Sequence, residues 1–164
     1  MHSEVHYQRE MVTAMFEHPE NEPVLVLSEE QCWSLLKGTQ HGRLVTVVGG
    51  RADIFPVNCA VQGSSIVLRT APGSKLAEMA VNESVVFEAD GILSDQAWSV
   101  VLRGKAARLE TSAERESAEE LGLKPWVPTI KDFFVRIRAE ELSGRHFRFG
   151  EHPERELGEG SEGG

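Results

Sequence analysis

Apolar and polar residues alternate with a period near two over much of this chain, and they change to helical spacing in only a few short windows. Residues 44–48 and 52–61 are two apolar, β-branched runs on either side of Gly49-Gly50, a turn that tolerates positive φ, and they predict a β-hairpin. Gly63-Ser64 supplies the next turn and leads to a strand over 65–70. After Pro72-Gly73 a short helix is expected over 75–81, with Leu76, Met79 and Ala80 at helical spacing, and then a strand over 84–89. A long strand follows over 97–109, in which Trp98, Val100, Leu102, Gly104 and Ala106 alternate against Ser99, Val101, Arg103, Lys105 and Ala107. Residues 133–139 and 145–149 predict two further strands, joined through a turn at Ser143-Gly144. Consecutive short strands with tight turns predict a mainly β fold, an antiparallel, barrel-like sheet of six or seven strands.

Two more helical windows complete the set of about three short helices. Ser28-Glu29-Glu30-Gln31 has the S-x-x-Q pattern of a capping box, with Leu27 and Cys32 placed as a hydrophobic staple, and the helix it opens should end at Gly38. Residues 111–121 predict a surface helix capped by Thr111 or Ser112 and stopped by Gly122.

Charge changes the picture at the ends. The chain of 164 residues carries a formal charge of −9, but residues 1–23 and 151–164 each hold five acids and one base, leaving 16 acids against 15 bases between them. The acidity belongs to the termini and argues against nucleic acid as a partner. Residues 24–150 form one domain. Residues 1–23 are a leader in which Met11, Val12, Met15 and Phe16 have the spacing of a docked helix, and the Gly/Glu-rich residues 151–164 are expected to be disordered. No apolar run has the length of a membrane span and no secretory signal pattern opens the chain, so a cytoplasmic location is expected. Cys32 and Cys59 are spaced for neither a redox pair nor a zinc site and read as small core residues.

The candidate chemistry lies at Arg69-Thr70-Ala71-Pro72-Gly73-Ser74-Lys75, between a strand and a helix. Ser74 falls at the expected N-cap. An anion there would meet free backbone N–H groups, hydroxyls from Thr70 and Ser74, and the cations of Arg69 and Lys75, a setting suited to a phosphate monoester. The plain alternative is a strand-to-helix connection whose Arg and Lys face solvent. No G-x-G-x-x-G or P-loop pattern, no nucleophile–base set and no metal-ligand spacing accompanies the cradle, so no catalytic side chain and no metal ligand is assigned.

With Gly42-Arg43-Leu44, Asp53-Ile54-Phe55-Pro56-Val57-Asn58, Arg69-Thr70, Gly73-Ser74-Lys75-Leu76, Asn82, Trp98-Ser99-Val100 and Arg103-Gly104 in this order, the chain from Val24 to Phe149 resembles the pyridoxamine 5′-phosphate oxidase-like family of flavin-binding split barrels, and within it the small uncharacterised bacterial members. The resemblance implies a homodimer with flavin mononucleotide (FMN) at the subunit interface. Arg69, Thr70, Ser74 and Lys75 would hold the phosphate, Pro56, Val57 and Asn58 would run beside the ring, and Trp98 and Ser99 would approach across the dimer. Arg43, Arg103 and His146 are additional candidates. On residue chemistry alone, Asn58 could instead satisfy a backbone group, Arg43 and Arg103 could pair with carboxylates, and Trp98 and Trp126 could be core or interface aromatics. The resemblance implies an oxidoreductase passing hydride through the flavin to a small molecule. A deazaflavin-dependent reductase on the same fold and a flavin- or ligand-binding protein without turnover are the alternatives. True pyridoxamine phosphate oxidases carry a longer, basic C-terminal substrate segment, whereas residues 151–164 here are acidic and glycine-rich, so pyridoxamine phosphate oxidation itself is not the expected activity.

Overall fold

A computed structural model describes residues 16–129 and 132–150. Seven strands occur in chain order: β1 (Val24–Val26), β2 (His41–Val48), β3 (Arg51–Gln62), β4 (Ser65–Thr70), β5 (Ser84–Ile92), β6 (Gln96–Arg108) and β7 (Phe133–Arg148). Three helices join them: α1 (Glu29–Lys37), α2 (Ser74–Val81) and α3 (Ser112–Glu119). All pairings are antiparallel, in the order β1-β7-β4-β3-β2-β5-β6, and β6 pairs back onto β7. That last pairing closes the sheet into a barrel and removes most of its edges.

The expected β2–β3 hairpin forms in register, Val48 opposite Arg51, with Gly49 and Gly50 at φ 58° and 78°. Two successive positive φ values make the turn whose twist suits a two-residue hairpin. β3 is longer than its neighbours: residues 51–58 pair with β2, but only Cys59 to Gln62 pair with β4. No described strand covers the other edge of residues 51–58. The barrel is split there, at the segment Pro56-Val57-Asn58.

Alternating inward residues of the strands, among them Leu44, Val57, Ile66, Leu68, Phe87, Val100, Leu102 and Ile137, fill the barrel, and α1 adds Cys32, Leu35 and Leu36. The capping box forms as expected: the Gln31 N–H donates to Ser28 Oγ at 3.2 Å and the Ser28 N–H donates to Gln31 Oε1 at 2.9 Å. A second, smaller core lies outside the barrel, where Val67, Leu109, Ala118, Leu123 and Phe134 pack beneath α3.

One expectation is corrected. Ser143-Gly144 is no turn; β7 is a single strand that stays paired with β6 through both residues. Gly144 is there because the wall is crowded: a Cβ would lie 2.7 Å from Cys32 Sγ and 3.0 Å from the Ser99 carbonyl oxygen. The expected leading helix falls mostly, and the expected disordered tail wholly, outside the described residues, although Phe16 is described and is buried in the main core. Among the described residues no helix is long and apolar enough to cross a membrane.

Candidate functional site

The cradle is built where β4 ends and α2 begins, beside the uncovered edge of β3. Ser74 does not cap the helix. Gly73 is the N-cap residue, its carbonyl accepts from the Ala77 N–H at 3.1 Å, and no side chain bonds the first-turn amides. The cause is a shift of one residue: with Gly73 already extended at the cap, Ser74 becomes the first helical residue. α1 and α3, by contrast, are capped by Ser28 and Thr111. The opening of α2 therefore presents donors with no side-chain acceptor, and a Cβ built on Gly73 would meet nothing within 4 Å.

Lys75 is the free cation of the cradle. It is half-buried, its ammonium sits 5.5 Å from the centroid of the Phe55 ring, and no described carboxylate pairs with it. Burial pulls its pKa below the ordinary 10.5. Phe55 is the residue that sequence reasoning missed here. It shares the strand parity of the buried Val57, and parity was the signal that could have placed it on the inner side of β3.

Arg69 is differently engaged. Its Nη1 donates to Glu119 Oε2 at 3.1 Å and to the Leu123 carbonyl at 3.0 Å, Nη2 donates to Glu119 Oε1 at 3.1 Å, and the guanidinium lies 4.8 Å over the Phe134 ring. Nε is 2.9 Å from Asp132 Oδ2, although its N–H is not aimed along a hydrogen bond. Strand alternation points Arg69 outward with Val67, under α3, whereas Thr70 points inward and donates to the Ala71 carbonyl at 3.2 Å. The two cations of the motif thus do different jobs in the protomer: Arg69 fastens α3 and the chain after it to the barrel, and Lys75 has no carboxylate partner among the described residues.

On β3, Pro56 is exposed, Val57 is buried and Asn58 is half-buried. The Asn58 side-chain amide donates to the Lys124 carbonyl at 3.1 Å, so here it does satisfy a backbone group. It also lines a cavity of about 450 Å³, with Lys37, Gln40, Leu121, Leu123 and Lys124 on the facing walls. Cys59 lines the same cavity, and burial pushes its thiol up to about 12, which keeps it protonated and unreactive near neutral pH.

The other candidates lie on β2, β6 and β7, with Arg43 opposite Pro56 on the β2–β3 ladder. Trp98 and Ser99 sit on the β5–β6 hairpin, opposite Gly91 and Asp90, and the Trp98 indole packs against Gly91. No hydrogen bond, ion pair or ring contact joins them to Lys75 within the protomer. Arg43 pairs with Glu88 and, at 2.9 Å, with Asp90, the carboxylate reading of that residue. Arg103 is exposed on β6. His146 is 3% exposed, with its Nε2 2.8 Å from Gln96 Oε1 and its Nδ1 2.6 Å from His18 Nε2, so it is turned away from solvent.

Against known proteins, a profile described as pyridoxamine 5′-phosphate oxidase matches residues 28–146. An uncharacterised protein of Mycobacterium tuberculosis is 42% identical over 95 residues, which is 58% of this chain and 86% of the relative. The crystal structure of a provisionally assigned pyridoxamine 5′-phosphate oxidase from Corynebacterium glutamicum is 41% identical, with a TM-score of 0.75 over 82% of this chain and 100% of that one. A structure of an FAD-binding protein from Mycobacterium smegmatis is 39% identical, with a TM-score of 0.65 over 76% of this chain and 98% of the other. The closed seven-stranded barrel, its split beside β3 and the match over 28–146 agree: the chain belongs to the pyridoxamine 5′-phosphate oxidase family.

Proposed function

We propose that this protein is a flavin-binding oxidoreductase that works as a homodimer. The observation that carries the proposal is Lys75, a half-buried ammonium with no described carboxylate, next to the uncapped first turn of α2. An unpaired cation in a partly desolvated position is costly unless an anion completes it. A phosphate bound by Lys75, Ser74 and the α2 amides would do so, with Thr70 below it and Arg69 supporting the wall behind. The uncovered edge of Pro56-Val57-Asn58 offers backbone groups and the Asn58 amide to a planar ring.

When bound, the flavin would supply hydride transfer to or from a small molecule; the protein's part is to hold it, exclude water and leave one face open. The cavity beside Asn58 provides that opening, with Lys37 and Lys124 at its walls. A second subunit is part of the reading for two reasons. Ile54 is 65% exposed beside the exposed Pro56 on the outer face of β3. The β5–β6 hairpin carrying Trp98 and Ser99 makes no hydrogen bond, ion pair or ring contact with Lys75 within the protomer, and in the family resemblance this strand approaches the site across the dimer.

FMN is the proposed cofactor. One observation favours FAD as a second reading: the Mycobacterium smegmatis relative binds it, and here Pro72, Gly73 and Ser74 are exposed, so a longer tail could leave the cradle into solvent. A phosphorylated deazaflavin is the remaining alternative. The visible spectrum of the purified protein, with mass identification of the released chromophore, separates the three. A colourless protein that binds none of them would overturn the reading. Reduction of the bound cofactor by a nicotinamide donor then separates an enzyme from a protein that only binds.

A further inference from the structure

Residues 16–22 are held against one end of the barrel by a chain of hydrogen bonds that runs through two histidines. His18 Nδ1 lies 2.9 Å from the Glu22 carbonyl oxygen, His18 Nε2 lies 2.6 Å from His146 Nδ1, and His146 Nε2 lies 2.8 Å from Gln96 Oε1. The Phe16 ring stacks on His146, with centroids 4.9 Å apart and planes 18° apart, and is itself buried in the main core. We propose that this histidine pair is a proton-sensitive latch that keeps residues 16–22 docked on the barrel near neutral pH and releases them on acidification.

The argument is a count of hydrogens. A carbonyl oxygen only accepts, so His18 Nδ1 must carry a proton. With a neutral pair, His18 Nε2 is then the acceptor, His146 Nδ1–H donates to it, and the Gln96 side chain presents its NH₂ to His146 Nε2. With one proton added, the direction reverses: His18 Nε2–H donates to His146 Nδ1, and His146 Nε2–H donates to Gln96 Oε1. Both arrangements satisfy all four imidazole nitrogens. A second added proton places N–H against N–H across 2.6 Å and cannot be accommodated. Docked, the pair holds at most one extra proton; undocked, it can hold two.

The surroundings strengthen the limit. His146 is opposite Leu25 on β1 and Trp98 on β6, both uncharged, and the titratable or charged groups that act on it are His18 and the cationic Arg148. Burial together with these two neighbours holds its pKa below the ordinary 6.5. Because the undocked segment binds one proton more, the docking constant falls by up to about tenfold for each pH unit below the ordinary histidine value. Trp98 being the ladder partner of His146, the latch also borders the hairpin that carries Trp98 and Ser99.

The test is proton and ¹⁵N NMR of the full chain labelled at histidine and phenylalanine. Near pH 7.5, cross-relaxation should connect the Phe16 and His146 rings; by pH 5 it should weaken, while signals from β2 to β5 stay in place. In His18→Ala, a change at a partly exposed residue, the ring contact should weaken at every pH and the His146 titration should rise toward that of a free histidine. A Phe16–His146 contact that persists unchanged to pH 5 would overturn the latch, as would a His18→Ala variant that keeps the wild-type contact and titration.

Discussion

Replacing Lys75 by Met should weaken cofactor binding while leaving the empty protein as stable as before or slightly more so. Met keeps the length of the side chain and its contact with Phe55 but removes the charge. On the binding side, one charge-assisted contact to a phosphate is lost, about 1.5–2 kcal/mol, or roughly a 10- to 30-fold rise in Kd. On the stability side two terms oppose. The cation–π contact at 5.5 Å contributes about 0.5–1 kcal/mol, and the partial burial of an unpaired ammonium, the cause of its lowered pKa, works against it. The net change in the empty protein should stay within about 0.5 kcal/mol. The pH dependence follows with a definite sign: the unfolded chain holds the Lys75 proton more tightly, so wild type gains stability relative to Lys75→Met as pH rises through the alkaline range toward 10.5. Fluorescence titration with FMN and urea unfolding of the cofactor-free protein read the two effects separately. Unchanged FMN affinity would remove Lys75 from the phosphate site. A loss of stability above about 1.5 kcal/mol would make it a structural residue instead.

Arg69→Ala should act the other way round, costing about 1.5–3 kcal/mol of stability by leaving Asp132 and Glu119 without their partner and unfastening α3, with a smaller effect on FMN binding than Lys75→Met; chemical unfolding that shows no loss would refute this role. Gly144→Ala should destabilise by about 1–3 kcal/mol, because its Cβ meets Cys32 Sγ at 2.7 Å in a filled core; a thermal midpoint unchanged from wild type would contradict it. Ile54→Arg should shift the proposed dimer to monomer in sedimentation experiments without unfolding it, and an unchanged sedimentation coefficient would exclude this face from the interface. Ser28→Ala should cost about 1 kcal/mol through the lost capping box, measurable by urea unfolding.

Strand positions were legible in the sequence because burial on one face of a barrel strand enforces alternation, and because Gly49-Gly50 and Gly63-Ser64 mark hairpins by backbone conformation alone. The reading failed where glycine served another purpose. Gly144 resembles a turn residue in sequence, yet it is selected for the close approach of β7 to Cys32 and β6, which depends on residues more than 40 positions away. The three-residue β1 gave too short a pattern to separate from its polar surroundings, and it forms because β7 offers residues 145–147 an open edge. At the candidate site, the segment from Arg69 to Lys75 was singled out from local chemistry, and Lys75 lies against Phe55 on the strand that carries the split. The division of labour inside it was not visible, since the partners of Arg69 are Glu119 and Asp132, at separations no local pattern encodes.

That division bears on how the site works. Arg69 and Asn58 both hold the same stretch of chain, Arg69 through the Leu123 carbonyl and Asn58 through the Lys124 carbonyl, and that stretch walls the cavity next to the proposed cofactor edge of β3. A phosphate bound at Lys75 does not require Arg69 to leave Glu119 and Asp132, so binding and the integrity of this wall are separable. If Arg69 did turn to the phosphate, the ion pair with Glu119 would break and α3 would loosen on binding. A cofactor that stabilises the protein without altering exchange protection of α3 would support Lys75 acting alone, whereas loss of protection in α3 on binding would show that Arg69 changes partners.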